Sequence, residues 1–277
     1  MRESAFRFGR AGHLIGIAGV PASPCDAVGV IVLNAGLVHR VGPFRMHVDL
    51  TRRLNTIGYP TLRFDLSTIG DSGATGESQT RNQQICADVE DAMALLHQQA
   101  GCQRFVLVGL CSGADKAHTA ARDPHSHEKI SGAVFLDGFA YRTLGFKLRH
   151  YLPRALDPRR WWRRLARQLN AGGVQENPVF AVAPLPQDVV SADLTSMVKR
   201  GLKLCFVYTG GINMYFNHQR QFRECFGPVM ADPAVSSRYL EAIDHTYALT
   251  GDRQRLVDHI DGWLRHNFPI VHAGASS

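Results

Sequence analysis

Short apolar runs alternate along the chain with longer segments of helical period, and glycine and proline punctuate the changes; this is the rhythm of strands and helices taken in turn. SAFRF and HLIGIA predict a hairpin-like pair of strands around Gly9 and Arg10, and VGVIVLN predicts a buried strand ending at Asn34. Arg45 to Thr56 has helical spacing with Val48, Leu50 and Leu54 on one face, and TLRFD predicts the next strand. A glycine-rich loop, STIGDSGATGES, leads to a helix over Asn82 to Ala100 that stops before Gly101, a residue suited to a C-terminal cap. RFVLVG and KISGAVFLD predict two further strands, the second ending at Asp137.

The rhythm lapses from about Tyr141 to Ser196, where prolines, the stretch WWRRLARQL and the irregular NPVFAVAPLPQD follow one another. Residues 141–196 therefore read as a cap inserted over the carboxyl edge of a sheet, with 1–140 and 197–277 forming one core. The pattern resumes with the strand KLCFVYT, a helix near Asn217 to Cys225, a short strand SRYLEAI, and a last helix from about Arg253 to His266. Strands and helices in alternation imply an α/β fold, a mostly parallel sheet with helices on both faces and ligands at the carboxyl ends of the strands. At 277 residues and 45% hydrophobic content the chain suits one large domain of this kind.

The candidate chemistry lies at those strand ends. GLCSG, from Gly109 to Gly113, follows the run RFVLV and precedes the helix-compatible ADKAHTAAR. A small residue two positions before and two after a nucleophile is what a sharp strand-to-helix turn demands, and this makes Cys111 a nucleophile candidate. Free cysteines more often serve as small buried hydrophobes, and the other five, at 25, 86, 102, 205 and 225, are read that way, since no pair has metal-binding spacing. Centring the turn on Ser112 instead would put Leu110 at a position that needs a small residue, so Ser112 is assigned a backbone donor for an oxyanion. The second donor is expected from the loop NAGL, at Leu37 with Gly36 as the alternative. His245, in IDHTY after the last strand, is the expected base; His13, His39, His259 and His266 fit less well, and His125 and His127 read as loop histidines. The loop TGGINMYFN holds no carboxylate where a third member is expected, which leaves Asp137 as the favoured partner of the imidazole and Asn213 as the alternative.

The formal charge of +7 is concentrated. Between Arg142 and Arg167 nine basic residues face one acid, so that segment carries +8 and the rest of the chain about −1. Arg159, Arg160, Arg163 and Arg164 within it are candidates for gripping an anionic substrate or carrier. No nucleic-acid module accompanies the patch, and no stretch has the length and apolarity of a membrane span, so the expectation is a cytoplasmic protein that needs no cofactor or metal and does not bind nucleic acid.

GLCSG, IDHTY, NAGLVHRVGP and RFDLSTIGDSG together resemble the α/β-hydrolase superfamily over nearly the whole chain. The set NAGL, HRVGP, GLCSGAD, LDGFAYRT and DHT is similar to small stand-alone hydrolases found with exosortase or biosynthetic gene systems. Cysteine at the turn is also familiar from dienelactone hydrolases, some thioesterases and bile-acid-type N-acyltransferases. The resemblance implies an α/β-hydrolase fold and a Cys-dependent acyl-transfer enzyme, a thioesterase or acyltransferase acting on a thioester carried by coenzyme A or an acidic carrier protein. Two alternatives stand beside it: a hydrolase of small esters or lactones, and a non-catalytic binding or membrane-surface module in which WWRRLARQL lies at the interface, making peripheral contact with a bilayer.

Overall fold

The structure, a computed structural model, describes residues 2–22, 25–26, 28–124, 128–155 and 185–272. Eight strands form one sheet: β1 (Arg2–Phe8), β2 (Leu14–Val20), β3 (Gly29–Leu33), β4 (Thr61–Asp65), β5 (Phe105–Leu110), β6 (Ile130–Leu136), β7 (Lys203–Thr209) and β8 (Val235–Leu240). Their spatial order is β1-β2-β4-β3-β5-β6-β7-β8. Only β2 runs against its neighbours; every pair from β4 to β8 is parallel.

The two-residue period of a strand explains why β3 and β5 read as unbroken apolar runs: both faces are covered. Ile31, Leu33, Phe105, Leu107, Phe135 and Phe206 turn to one core. Val30, Val32, Val106, Val108, Val134 and Val207 turn to the other. The first core is closed by α2 (Arg81–Ala100), α3 (Ser112–Arg122), α5 (Gln187–Lys199) and the short α6 (Gln221–Phe226). The second is closed by α1 (Met46–Thr56) through Met46, Leu50 and Leu54, and by α7 (Thr250–Asn267) through Leu256, Ile260, Trp263 and Leu264. Helix α2 starts at a reciprocal capping box between Thr80 and Gln83 and ends at Gly101 with φ 71°, a left-handed cap that the sequence predicts.

Three features of the chain differ from the sequence reading. Helix α5 crosses the expected border of the insertion at 196/197 and buries Val190, Leu194 and Met197 in the main core, so residues 187–196 pack with the core and not as a cap. The helix expected from Asn217 is helical only at Gln221–Phe226, because side chains take the backbone donors just before it: Gln221 Oε1 accepts from Asn217 N–H at 2.9 Å and His218 Nδ1 from Arg220 N–H at 3.0 Å. The last strand begins earlier, at Val235, and ends at Leu240, so Glu241 to Ile243 leave the sheet. Helix α4 (Leu144–Ala155) lies within the expected insertion. The stretch WWRRLARQL, with Arg159, Arg160, Arg163 and Arg164, lies outside the described residues.

The β8 edge carries one more device. With Leu204 N–H bonded to Ala234 C=O at 2.8 Å, even-numbered residues of β8 face β7 and odd-numbered ones face outward. The Gln219 carboxamide covers the outward groups, donating from Nε2 to Ser237 C=O at 3.1 Å and accepting at Oε1 from Tyr239 N–H at 2.7 Å.

The core predicts its own sensitivity. Leu107, fully buried at the centre of β5, packs beneath α2 and α3. Leu107→Ala is expected to destabilise the fold by about 2–5 kcal/mol, read as a lower urea midpoint at unchanged slope.

Candidate active site

Strand β5 ends at Leu110 and α3 begins at Ser112, so Cys111 alone makes the turn, at φ 55° and ψ −121°. Backbone of this kind costs a non-glycine residue about 1–3 kcal/mol and persists only where its surroundings hold it. Here Cys111 N–H donates to Leu136 C=O at 2.8 Å, and Cys111 C=O accepts from Ala114 N–H at 2.9 Å. The flanking glycines are steric necessities. A Cβ on Gly109 would lie 2.1 Å from Gly113 O, and one on Gly113 would lie 2.8 Å from Asn34 O. Cys111 is thereby exposed, whereas Cys102, Cys205 and Cys225 are buried and Cys86 is half-buried. Burial raises the thiols of Cys86 and Cys225 to about 11 and that of Cys205 to about 12, which keeps them protonated and inert.

His245 stands across from this thiol, and its Nδ1 is 2.8 Å from Asp137 Oδ2. Asp137 follows β6 directly, has φ 46° and is buried. Its carboxylate accepts from Thr209 N–H at 2.6 Å and Thr209 Oγ1–H at 2.7 Å, so the end of β7 locks the acid in place. The hydrogen bond to Asp137, followed by one to Cys111, lifts the imidazole against partial burial to about 10. His245 therefore carries both ring protons at neutral pH, with Nδ1–H on Asp137 and Nε2 left for the sulfur.

The glycines of TGGINMYFN are required by the close approach of this loop to the histidine loop. A Cβ on Gly211 would come within 2.1 Å of His245 N, and one on Gly210 within 1.9 Å of Glu241 O, so this loop is packed flush beneath the histidine loop. Asn213 is exposed at the end of the turn, its N–H donates to Gly210 C=O, and no hydrogen bond joins it to His245 among the described residues. Asp244, next to the histidine, turns to its own loop. Its carboxylate accepts from Thr246 N–H and Thr246 Oγ1–H, which hold it below the usual carboxylate range.

The loop after β3 faces the other side of the thiol. Gly36 N–H donates to Ser112 Oγ at 2.8 Å, which ties the loop to the first turn of α3 and occupies that donor. Leu37 is 75% exposed, and among the described residues its N–H has no protein acceptor. Ser112 N–H, in the first turn of a helix, is one of the donors that helix geometry leaves open. Asn34 organises the loop: its Oδ1 accepts from Leu66 N–H at 2.7 Å, and its Nδ2 donates to Asp65 Oδ1 at 3.0 Å and Val38 C=O at 3.1 Å. Asp65, at the end of β4, also accepts from Arg40 N–H at 2.6 Å and pairs with the Arg40 guanidinium at 2.5 Å. The glycine-rich STIGDSG turn wraps this carboxylate, with Asp71 N–H donating to it at 3.1 Å.

The structure thus brings together Cys111, His245, Asp137, Ser112, Gly36 and Leu37, and leaves Asn213 apart. The supporting residues Thr209, Asn34, Asp65, Arg40 and the buried Lys116 are absent from the sequence reading. For all but Arg40, which lies in the loop before α1, the signal is position: each polar group sits at the end of an apolar strand or on the apolar face of α3.

No protein-family model and no curated protein matches the sequence. Solved structures do match it. An esterase from Pyrococcus furiosus is similar at 15% identity and TM-score 0.61, covering 96% of this chain and 91% of its own. Naproxen esterase from Bacillus subtilis is similar at 14% identity and TM-score 0.58, over 95% and 90% of the two chains. An α/β serine hydrolase homologue from Coxiella burnetii is similar at 13% identity and TM-score 0.57, over 96% of both. At such identities the likeness is one of architecture, and together with the strand order and the turn at Cys111 it shows that this chain has the α/β-hydrolase fold.

Proposed function

We propose that the protein is a cysteine-dependent acyl-transfer enzyme, a thioesterase or acyltransferase, that carries the acyl group on Cys111. The observation that supports this most directly is the exposed sulfur of a strained turn facing an imidazole that Asp137 holds protonated. An imidazolium beside a sulfur is the setting that favours a thiolate. The thiolate attacks the carbonyl carbon of a thioester and the carbonyl π electrons move to oxygen. Ser112 N–H and Leu37 N–H donate to that oxyanion, while Gly36 N–H, the alternative donor, is held by Ser112 Oγ. Collapse forms the acyl–Cys111 thioester and expels the carrier thiolate, which takes the Nε2 proton of His245. Acylation removes the negative sulfur that helped hold that proton, and the neutral imidazole then accepts a proton from water, an amine or an alcohol as it attacks the acyl carbon. Exchange of one thioester for another is nearly isoenergetic, so the group stays activated for its acceptor.

Leu37, Val38, Met214 and Tyr215 are exposed in the loops after β3 and β7, and they offer an apolar rim suited to an acyl chain. Arg142 stacks 4.7 Å above the Tyr215 ring, at the start of the basic segment that would meet a coenzyme A phosphate or an acidic carrier. Ester hydrolysis is the second reading, favoured by the esterase names of two structural relatives. Both readings use the same residues, and the intact mass of the protein after incubation with acyl thioesters separates them from a non-catalytic role. Wild-type protein is expected to gain one acyl mass that Cys111→Ala does not gain. No adduct and no turnover from any thioester or ester would refute the enzyme reading.

Asp137→Asn is expected to lower kcat by between tenfold and about 10⁴-fold, and by more than Asn213→Ala, in a steady-state thioesterase assay. The raised His245 value also has a stability consequence. Its favourable interactions are fully present below the ordinary imidazole value of 6.5 and are lost as pH rises towards about 10. The Tm difference between wild type and His245→Gln is therefore expected to be most favourable to wild type near pH 6 and to shrink steadily up to pH 10, measured by scanning fluorimetry.

A further inference from the structure

Lys116 lies one turn into α3 on its inner face, in line with Gly113, Ala117 and Ala120. It is 4% exposed, and its Nζ donates to Asn34 C=O at 3.2 Å. Among the described residues no carboxylate stands within ion-pair distance of it. Ammonium groups are seldom buried without a partner, because the loss of hydration is large, and a methionine would fill the same channel without that penalty. The charge is therefore expensive at this position.

The acceptor it has is a consequential one. Asn34 is the first residue after β3, and its side chain already bridges Leu66, Asp65 and Val38. Its carbonyl points across the gap that Gly113 leaves open. Lys116 thus grips the loop 34–38 at its root, while Ser112 Oγ grips it at Gly36 N–H. Two side chains of α3, four residues apart, hold the loop that carries the candidate oxyanion donors against the helix that carries the nucleophile.

We infer that Lys116 is a positioning residue for acyl transfer at Cys111: through Asn34 C=O it fixes the 34–38 loop against α3, and its buried positive charge stabilises the negative charge carried by the sulfur and the carbonyl oxygen. This rests on the acyl-transfer reading for its role in turnover, but the coupling to the sulfur is testable without any substrate. The charged groups that act on Lys116 are Arg81 at the start of α2, Asp115 beside it on α3 and Cys111 at the turn. Burial foremost, then Arg81, lower the ammonium to about 8, and Asp115 and Cys111 oppose this. The ammonium donates to Asn34 C=O more strongly than the neutral amine does, so the grip weakens as pH rises through about 8.

The test uses Lys116→Met and Lys116→Arg in the full-length chain. The first readout is the rate of Cys111 alkylation by iodoacetamide against pH, located by peptide mass. Lys116→Met is expected to slow it by about threefold or more at pH 7 and to move its pH midpoint upward. The second readout is thioester turnover: Lys116→Met is expected to lose at least about tenfold in kcat with little change in KM. Wild-type kcat is expected to fall above about pH 8, and Lys116→Arg, whose charge persists, to move that fall to higher pH. A folded Lys116→Met with wild-type alkylation and wild-type kcat overturns the inference. Should Lys116→Met fail to fold, an alkaline limb unchanged in Lys116→Arg overturns it instead. An alkylation shift in a protein that turns over no thioester upholds the coupling and removes the acyl-transfer reading alone.

Discussion

The close approach of α3 to β3 and β5 is the constraint on which the site depends. Two missing side chains, at Gly109 and Gly113, allow backbone atoms of the turn, the helix and Asn34 to meet at distances that any Cβ would forbid. That contact drives Cys111 to its positive φ and pushes the sulfur clear of the sheet. It also brings the root of the 34–38 loop within reach of Lys116 and its crest within reach of Ser112. The packing that forces the Cys111 sulfur outward is the packing that aligns the groups around it. Preorganisation here is a property of backbone clearance, and side chains then fasten what clearance permits.

Asp137, the carboxylate that meets His245, comes from the end of β6 and not from the strand beyond it. Thr209 on β7 gives Asp137 both a backbone and a hydroxyl donor, so the carboxylate is solvated by the neighbouring strand as it meets the imidazole. Donors on β7 thus replace the water that burial removes from this carboxylate. The adjoining loop is released from that duty. Its paired glycines instead let it lie against the histidine loop, and Met214 and Tyr215 beyond them are free to face outward.

Much of this was legible in the residues. Runs such as GVIVL and FVLVGL state that both faces of the sheet are covered, and the glycine spacing around Cys111 states where the chain turns. His245 could be placed by its position after the last strand. The sequence favours Asp137 over Asn213 without deciding between them, because the contact depends on which side chain spans from one strand to the next, a matter of register that single segments do not encode. A lysine in a helix reads as a surface residue, although the spacing of Lys116 with Gly113, Ala117 and Ala120 places it inside. The prolines before Gln187 look like a continuing loop, while Val190, Leu194 and Met197 carry the helical period that binds α5 to the core.

The outer edge of β8 shows how a sheet of this size is brought to an end. An edge strand offers alternate carbonyls and amides to any extended chain that passes, and charge or proline is the usual deterrent. Here a single primary amide, that of Gln219, imitates one residue of a ninth strand and takes up the donor and acceptor a newcomer would need. The sheet is thereby finished from within, and growth by strand addition at this end, whether into a swapped pair or a fibre, must first displace a side chain that already satisfies it.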